Sequence, residues 1–135
     1  MSSIALPYAA PSRPLVWTGR TASAIAIAFL LFDAAVKFSG LAAVADSFTQ
    51  LGMPVALATA VGALELLCLA LYVLPRTSFL GALLLTGYLG GATALHVRVG
   101  NPLGSHILFP AYVGALVWGG LALRDARVRA LLRPR

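Results

Sequence analysis

One uncharged apolar segment constrains this chain more than any other feature of its sequence. It follows Pro75 and Arg76 and ends at His96 and Arg98, and it reads PRTSFLGALLLTGYLGGATALHVR. At about 1.5 Å per residue, a helix of about twenty apolar residues crosses the hydrocarbon core of a bilayer. A helix also satisfies its own backbone hydrogen bonds, which lipid cannot do. The segment therefore predicts a transmembrane helix.

The composition extends this prediction to the whole chain. Hydrophobic residues make up 60% of the 135 residues and charged residues only 10%, whereas a soluble domain carries about 25% charged residues. The net charge is +6, and residues 124–135 supply most of it with five arginines and one aspartate. A basic cluster after an apolar run is typical of an anchor beside anionic lipid. We therefore expect the lipid bilayer as a partner, and no nucleic acid.

Three further apolar runs accompany the opening segment. The four predicted membrane spans cover residues 21–41, 55–74, 79–97 and 107–123. Because the connections are short, the spans form a four-transmembrane-helix bundle. The predicted fold is all-α, a polytopic membrane protein whose membrane domain covers residues 21–123.

The arginines between the spans predict the orientation. Arginines occur in the amino-terminal segment, the second connection and the tail, but connections 42–54 and 99–106 contain no lysine or arginine. The positive-inside rule then places both termini in the cytoplasm of a multi-pass protein of the cell inner (plasma) membrane. Residues 1–20 are expected to be a flexible cytoplasmic segment and residues 124–135 a basic cytoplasmic tail. Connection 42–54 is expected to contain an amphipathic turn at the interface.

Four ionisable residues within or beside the spans are the site candidates. Asp33 and Lys37 lie four residues apart, so they share a helix face in the favourable order of acid before base. At about 1.5 Å per residue, Asp33 lies about 18 Å into the first span and Glu65 about 15 Å into the second, from opposite sides. Lys37 can reach Glu65, and His96 lies toward the same end. The residues form either one polar cavity or a purely structural pairing.

No motif indicates metal or haem. His96 and His106 lie at opposite ends of a loop, and this spacing does not give two ligands on one face. Cys68 is the single cysteine, so no intrachain disulfide can form. The sequence contains no nucleophile elbow, P-loop or dinucleotide fingerprint, and it leaves open whether the protein is an enzyme.

Small and hydroxyl-bearing residues of the third span predict helix contacts. Gly87 and Gly91 form a GxxxG pair beside Gly90, a pattern that lets two helices approach closely. We therefore assign these three glycines to helix packing. Thr86 and Tyr88 are expected to make hydrogen bonds to other helices.

The central block from Val61 to Pro102 is similar to a known family. It reads VGALELLCLALYVLPRTSFLGALLLTGYLGGATALHVRVGNP, and the flanking FDAAVKFSG, LGMP and FPAYVGALVWGGLALRD agree with it. The chain resembles the DoxX-like family of small four-helix integral membrane proteins. Lys37 and Glu65 match positions at which the family pattern shows charge, which makes them the first site candidates.

This resemblance implies several functions. Relatives include the small subunit of an archaeal thiosulfate:quinone oxidoreductase, a mycobacterial subunit linked to redox defence, and animal proteins that assist receptor assembly. We expect an accessory subunit or a binder of a small apolar, quinone-like molecule. The alternatives are a quinone-linked membrane oxidoreductase subunit, with Glu65 or His96 as proton acceptor, and a membrane-protein assembly factor. A partner subunit or a homo-oligomer is compatible with each.

Overall fold

Six α-helices make up most of the protein. The computed structural model describes residues 10–134. The helices are numbered in chain order: α1 (Arg13–Phe38), α2 (Ala42–Gln50), α3 (Ala58–Val73), α4 (Ser78–Arg98), α5 (Phe109–Arg124) and α6 (Ala126–Leu132). A 3₁₀ turn, Val55–Leu57, precedes α3, and a π-helical turn, Leu103–Ile107, precedes α5. Residues 10–134 contain no strand, and the all-α prediction is confirmed.

Four helical segments are long and apolar enough to cross a membrane. They are Arg13–Phe38, Val55–Val73, Ser78–Arg98 and Leu103–Arg124. Their outer faces carry large apolar side chains, and Phe32, for example, is 68% exposed. A water-soluble monomer rarely exposes so much contiguous apolar surface, whereas lipid solvates it. The prediction of a polytopic membrane protein is confirmed.

The four spanning helices form a closed ring. α1 packs against α3 and α5, and α4 packs against the same two helices from the opposite side. Short connections make neighbouring helices antiparallel. We call the end of the bundle that holds the start of α1, the α3–α4 turn and α6 the basic end, and the opposite end the α2 end. The core between the helices contains Leu30, Tyr72, Leu85, Val117 and Leu121.

A buried tyrosine joins three helices near the basic end. The Tyr72 hydroxyl on α3 donates to the Val117 carbonyl on α5 at 2.8 Å. Since the single hydroxyl proton is used there, the Ser23 hydroxyl on α1, 2.9 Å away, donates to the Tyr72 oxygen. Arg124 Nε in turn donates to Ser23 Oγ at 3.0 Å. These bonds satisfy polar groups that would be costly to leave unpaired in the core.

Glycines produce the closest helix contacts at this end. A Cβ on Gly120 of α5 would collide with Ser23 of α1, and a Cβ on Gly19 would lie 2.8 Å from the backbone nitrogen of Arg124. A Cβ on Gly81 of α4 would overlap the backbone of Tyr72. The small residues therefore let these helix backbones touch, as is common within membranes.

The first helix begins earlier than the sequence predicts. We expected residues 1–20 to be a loose segment, but α1 already starts at Arg13, so this expectation is wrong for residues 13–20. Pro14 is compatible with the helix because it lies in the first turn, where an amide proton has no intrahelical partner. Residues 1–9 lie outside the described part of the chain.

The predicted tail and the first connection also contain helices. In the tail, Asp125 caps α6 by accepting from the Arg127 amide at 2.9 Å. The Arg129 guanidinium donates to the last carbonyls of α5, and Val128 is buried, so the tail packs against the bundle up to α6. Residue 135 lies outside the described residues. In the first connection, α2 is an amphipathic helix that buries Val44 and Phe48.

We predict that Gly81→Ala destabilises the bundle. The new methyl group would overlap the Tyr72 backbone, and overpacking of this kind costs about 1–3 kcal/mol. Gly90→Ala is the matched control, because a Cβ there meets no atom within 4 Å and alanine favours a helix over glycine by about 1 kcal/mol. Unfolding of both variants by SDS in mixed micelles measures the difference. If the two variants had equal free energies of unfolding, the close contact between Gly81 and the Tyr72 backbone would be contradicted.

Candidate functional site

An ammonium group bridges two helices in the half of the bundle nearer the α2 end. Lys37 of α1 forms ion pairs with Asp33, one turn earlier, and with Glu65 of α3, whose Oε2 lies 3.0 Å from Nζ. The i, i+4 pair and the reach of Lys37 to Glu65 therefore agree with the sequence analysis. Two carboxylates share one cation, so the trio carries one excess negative charge when all three groups are ionised.

Glu65 is the buried member of this trio. Its side chain is fully buried, and the Tyr88 hydroxyl of α4 donates to Oε2 at 3.1 Å. Within residues 10–134, Oε1 has no hydrogen-bond partner. A buried carboxylate is costly unless it is paired, so Lys37 and Tyr88 are the groups that keep Glu65 in the core.

A large cavity lies beside the trio. Its volume is about 770 Å³, within the range of small-molecule sites. All four spanning helices and α2 contribute to its wall, which is mainly apolar. Lining side chains outside α4 include Phe29, Val44, Phe48, Met53, Val61, Cys68, Phe109 and Val113.

Three of the four candidate residues line this cavity. Asp33, Lys37 and His96 are at its wall, while Glu65 lies behind it and contacts the lining residue Tyr88. The side chain of Asp33 is 40% exposed and that of Lys37 is 13% exposed. Asp33 is therefore the member of the trio most accessible to a ligand.

Tyr88 is the site residue that the sequence analysis did not assign. We expected only that Tyr88 makes a hydrogen bond to another helix, and its bond to Glu65 is present. Tyr88 and His96 lie eight residues apart, which places them on one face of α4. That spacing could have identified Tyr88 as a neighbour of the predicted cavity. Thr86 also makes its expected bond to another helix, because it accepts from Trp118 Nε1 at 2.7 Å.

His96 is held by a polar chain at the α2 end. Gln50 of α2 donates to the Asn101 side-chain oxygen at 3.3 Å, and the Asn101 side-chain nitrogen lies 2.7 Å from His96 Nδ1. An amide nitrogen can only donate, so a neutral His96 carries its proton on Nε2. Arg98 donates to the Leu51 carbonyl and further links α4 to the segment after α2.

The two histidines are closer than the sequence suggested. We expected that the positions of His96 and His106 at opposite ends of a loop would not give two ligands on one face; the centroids of their rings lie 5.6 Å apart in an edge-to-face contact. The π-helical turn Leu103–Ile107 brings the chain back over the end of α4. Among residues 10–134, no three side chains of the types that bind metal ions cluster together.

The glycines of α4 do not pack as predicted. A Cβ on Gly87, Gly90 or Gly91 would meet no atom within 4 Å in the described chain. Within residues 10–134, these glycines therefore make no helix contact, and α3 and α4 touch at Gly81 instead. Gly87 and Gly91 line the cavity. A contact of the three glycines with a second molecule stays a prediction.

The cavity opens toward the lipid between α3 and α4. Its lining residues Leu64, Leu83 and Leu84 are also exposed on the outer surface of the bundle, each by more than 40%. Their positions lie well inside the spans. A lipophilic molecule could therefore enter from the bilayer without crossing water.

These features define a multi-pass helical membrane protein with a charged trio beside an apolar cavity. A sequence model of the DoxX-like family matches residues 21–120, and the chain belongs to this family. Searches among curated proteins and among solved structures found no match.

We predict that Lys37→Met destabilises the protein by about 3–5 kcal/mol, because removing one partner leaves buried charge uncompensated. Adding Glu65→Gln to this variant should recover much of the loss, since the neutral amide still accepts from Tyr88. Arg76→Met is the control: Arg76 is exposed at the basic end, and exposed charges contribute little. SDS unfolding compares the variants, and equal effects of Lys37→Met and Arg76→Met would contradict a structural role of the ammonium group.

Proposed function

We propose that the protein binds a small, largely apolar molecule of quinone type inside the membrane. The observation that carries this proposal is the cavity of about 770 Å³ with Asp33, Lys37, Tyr88 and His96 on a mainly apolar wall. Ligand sites commonly combine an apolar lining with a few polar groups that orient the ligand. Access from the lipid suits a molecule that partitions into the bilayer.

These polar groups come from α1 and α4, and apolar side chains from all four spanning helices and α2 form most of the remaining wall. A ring with a polar substituent would place that substituent near Asp33 and Tyr88 and its apolar remainder against side chains such as Phe29 and Val113. Because most lining residues are apolar, the cavity favours a lipophile over an ion or a sugar.

The accessory-subunit role is part of the same proposal. A protein that binds quinone without its own redox centre would supply the ligand to a partner subunit. The alternatives stay a quinone-linked oxidoreductase subunit and an assembly factor. A proton acceptor in the first alternative would be His96 in preference to Glu65, because His96 lines the cavity and Glu65 does not. The nitrogen that takes the proton would be Nδ1, which would first have to leave the Asn101 amide.

We further propose a location in the cell inner membrane with both termini in the cytoplasm. The basic end carries Arg13, Arg20, Arg76 and Arg124, and the arginines of α6 add to this charge. The α2 end has only Lys37 and Arg98, of which Lys37 is held in ion pairs. This asymmetry supports a cytoplasmic basic end.

Filling the cavity should abolish ligand binding. We predict that Gly87→Leu together with Gly91→Leu lowers the retention of decylubiquinone by nanodiscs at least about tenfold, equivalent to about 1.4 kcal/mol. The matched control is Gly90→Leu with Ala94→Leu, which has the same spacing on the same helix but lies outside the cavity lining. Retention by the unaltered protein no greater than by empty nanodiscs would overturn the proposed function.

A reporter at the carboxyl terminus tests the orientation. Green fluorescent protein fused after the last residue should fluoresce, and alkaline phosphatase at the same place should be inactive, because the positive-inside rule retains the basic end in the cytoplasm. The control is a fusion in the α2–α3 connection after Gly52, which should give the opposite pair of results. Phosphatase activity at the carboxyl terminus would contradict the orientation.

A further inference from the structure

The charged trio contains more hydrogen-bond acceptors than donors. Asp33 and Glu65 contribute four carboxylate oxygens, and the donors directed at them are the Lys37 ammonium and the Tyr88 hydroxyl. Tyr88 has only one proton, which it gives to Glu65 Oε2. Lys37 directs two of its three protons at carboxylates. Since two carboxylates offer about eight acceptor sites and the two donor groups supply about four protons, the part of the cavity wall near them has acceptors to spare.

Two oxygens show this excess. Within the described chain, Glu65 Oε1 is buried without a partner, and Lys37 is the one residue that donates to the Asp33 carboxylate, at Oδ2. Asp33 lines the cavity and its side chain is 40% exposed. The Asp33 carboxylate, of which Oδ1 lies outside the bond to Lys37, is thus the acceptor available to a molecule in the cavity.

A ligand carbonyl is a poor match for this region. A carbonyl oxygen only accepts, so beside Asp33 it would face another acceptor and would have to compete for the protons of Lys37 and Tyr88. A hydroxyl group instead donates to the carboxylate, and a hydrogen bond to an ionised group is stronger than one between neutral groups. Its proton also offsets part of the excess negative charge that the trio carries when all three groups are ionised.

From this donor deficit we infer that the cavity selects lipophiles whose polar head is a hydroxyl donor, and that Asp33 is the residue that recognises the hydroxyl group. The inference rests on the proposed binding function and specifies its ligand class. Among quinone-type molecules, the reduced dihydroxy form has such a head and the oxidised form does not. Phenols and alcohols with an apolar body belong to the same class.

Redox-inert probes test this inference directly. Equilibrium dialysis would measure the binding of 4-decylphenol and of its methyl ether, 4-decylanisole, to protein-loaded nanodiscs, with empty nanodiscs of the same lipid subtracted. The two probes differ in the donor proton and one methyl group. We expect the phenol to bind at least about tenfold more tightly, as the loss of a hydrogen bond to a charged group implies.

Asp33→Asn should remove this preference or reverse it, because the amide nitrogen supplies a donor at the same place. Lys37 keeps Glu65 as its partner in this variant, so the α1–α3 link remains. Asp33→Glu, which retains the carboxylate, should keep the preference for the phenol. Asp46→Asn is the matched control, because Asp46 is exposed on α2 and lies outside the cavity lining.

The possible results separate the inference from the proposed function. Equal binding of phenol and ether, or a preference that survives Asp33→Asn, would overturn the inference while leaving the proposed function in place. Binding of decylammonium without binding of the phenol would show selection by charge and would also overturn it. If neither these probes nor decylubiquinone bind, the proposed function fails and the inference fails with it.

Discussion

The bond between Lys37 and Glu65 is the constraint on which the cavity half of the bundle depends. It joins α1 to α3 at a place where their backbones are close, since a Cβ on Gly62 would lie 3.2 Å from Lys37 Cβ and 3.4 Å from the Ala34 carbonyl oxygen. In a low-dielectric interior, the pairing is specific because either charge alone would be costly. It therefore fixes the relative register of the two helices. Tyr88 extends the same constraint to α4.

In this arrangement, the residue that stabilises the cavity wall is different from the residues that face a ligand. Glu65 is fully buried and is already bound by Lys37 and Tyr88, so it holds the wall together from behind. Asp33 and His96 face the cavity and differ in chemistry, because the first accepts and a neutral His96 can donate through Nε2. The wall thus presents different polar groups at different places on an apolar background. An arrangement of this kind orients a ligand as well as enclosing it.

Sequence spacing predicted contacts that follow from the regular geometry of the spans and missed those that depend on close packing and on irregular turns. The Asp33–Lys37 pair follows from the helix period, and the contact with Glu65 follows from equal depths in antiparallel spans. The roles of the glycines did not follow, because a GxxxG pattern does not reveal whether its face meets a helix or a cavity. The same holds for the approach of His96 and His106, which depends on an irregular turn. The start of α1 at Arg13 was also missed, because in the sequence a proline in the first turn of a helix, such as Pro14, cannot be told from a loop proline.

The backbone contact between α3 and α4 at Gly81 affects how far the opening to the lipid can widen. With the two backbones in contact there, and a short turn joining them at the basic end, α3 and α4 are fixed to each other at this end. The hydrogen bond from Tyr88 to Glu65 joins the same helices a second time, about two turns farther along α4. Leu83 and Leu84, which line the opening to the lipid, lie between these two contacts on α4, so the width of the opening is limited from both sides.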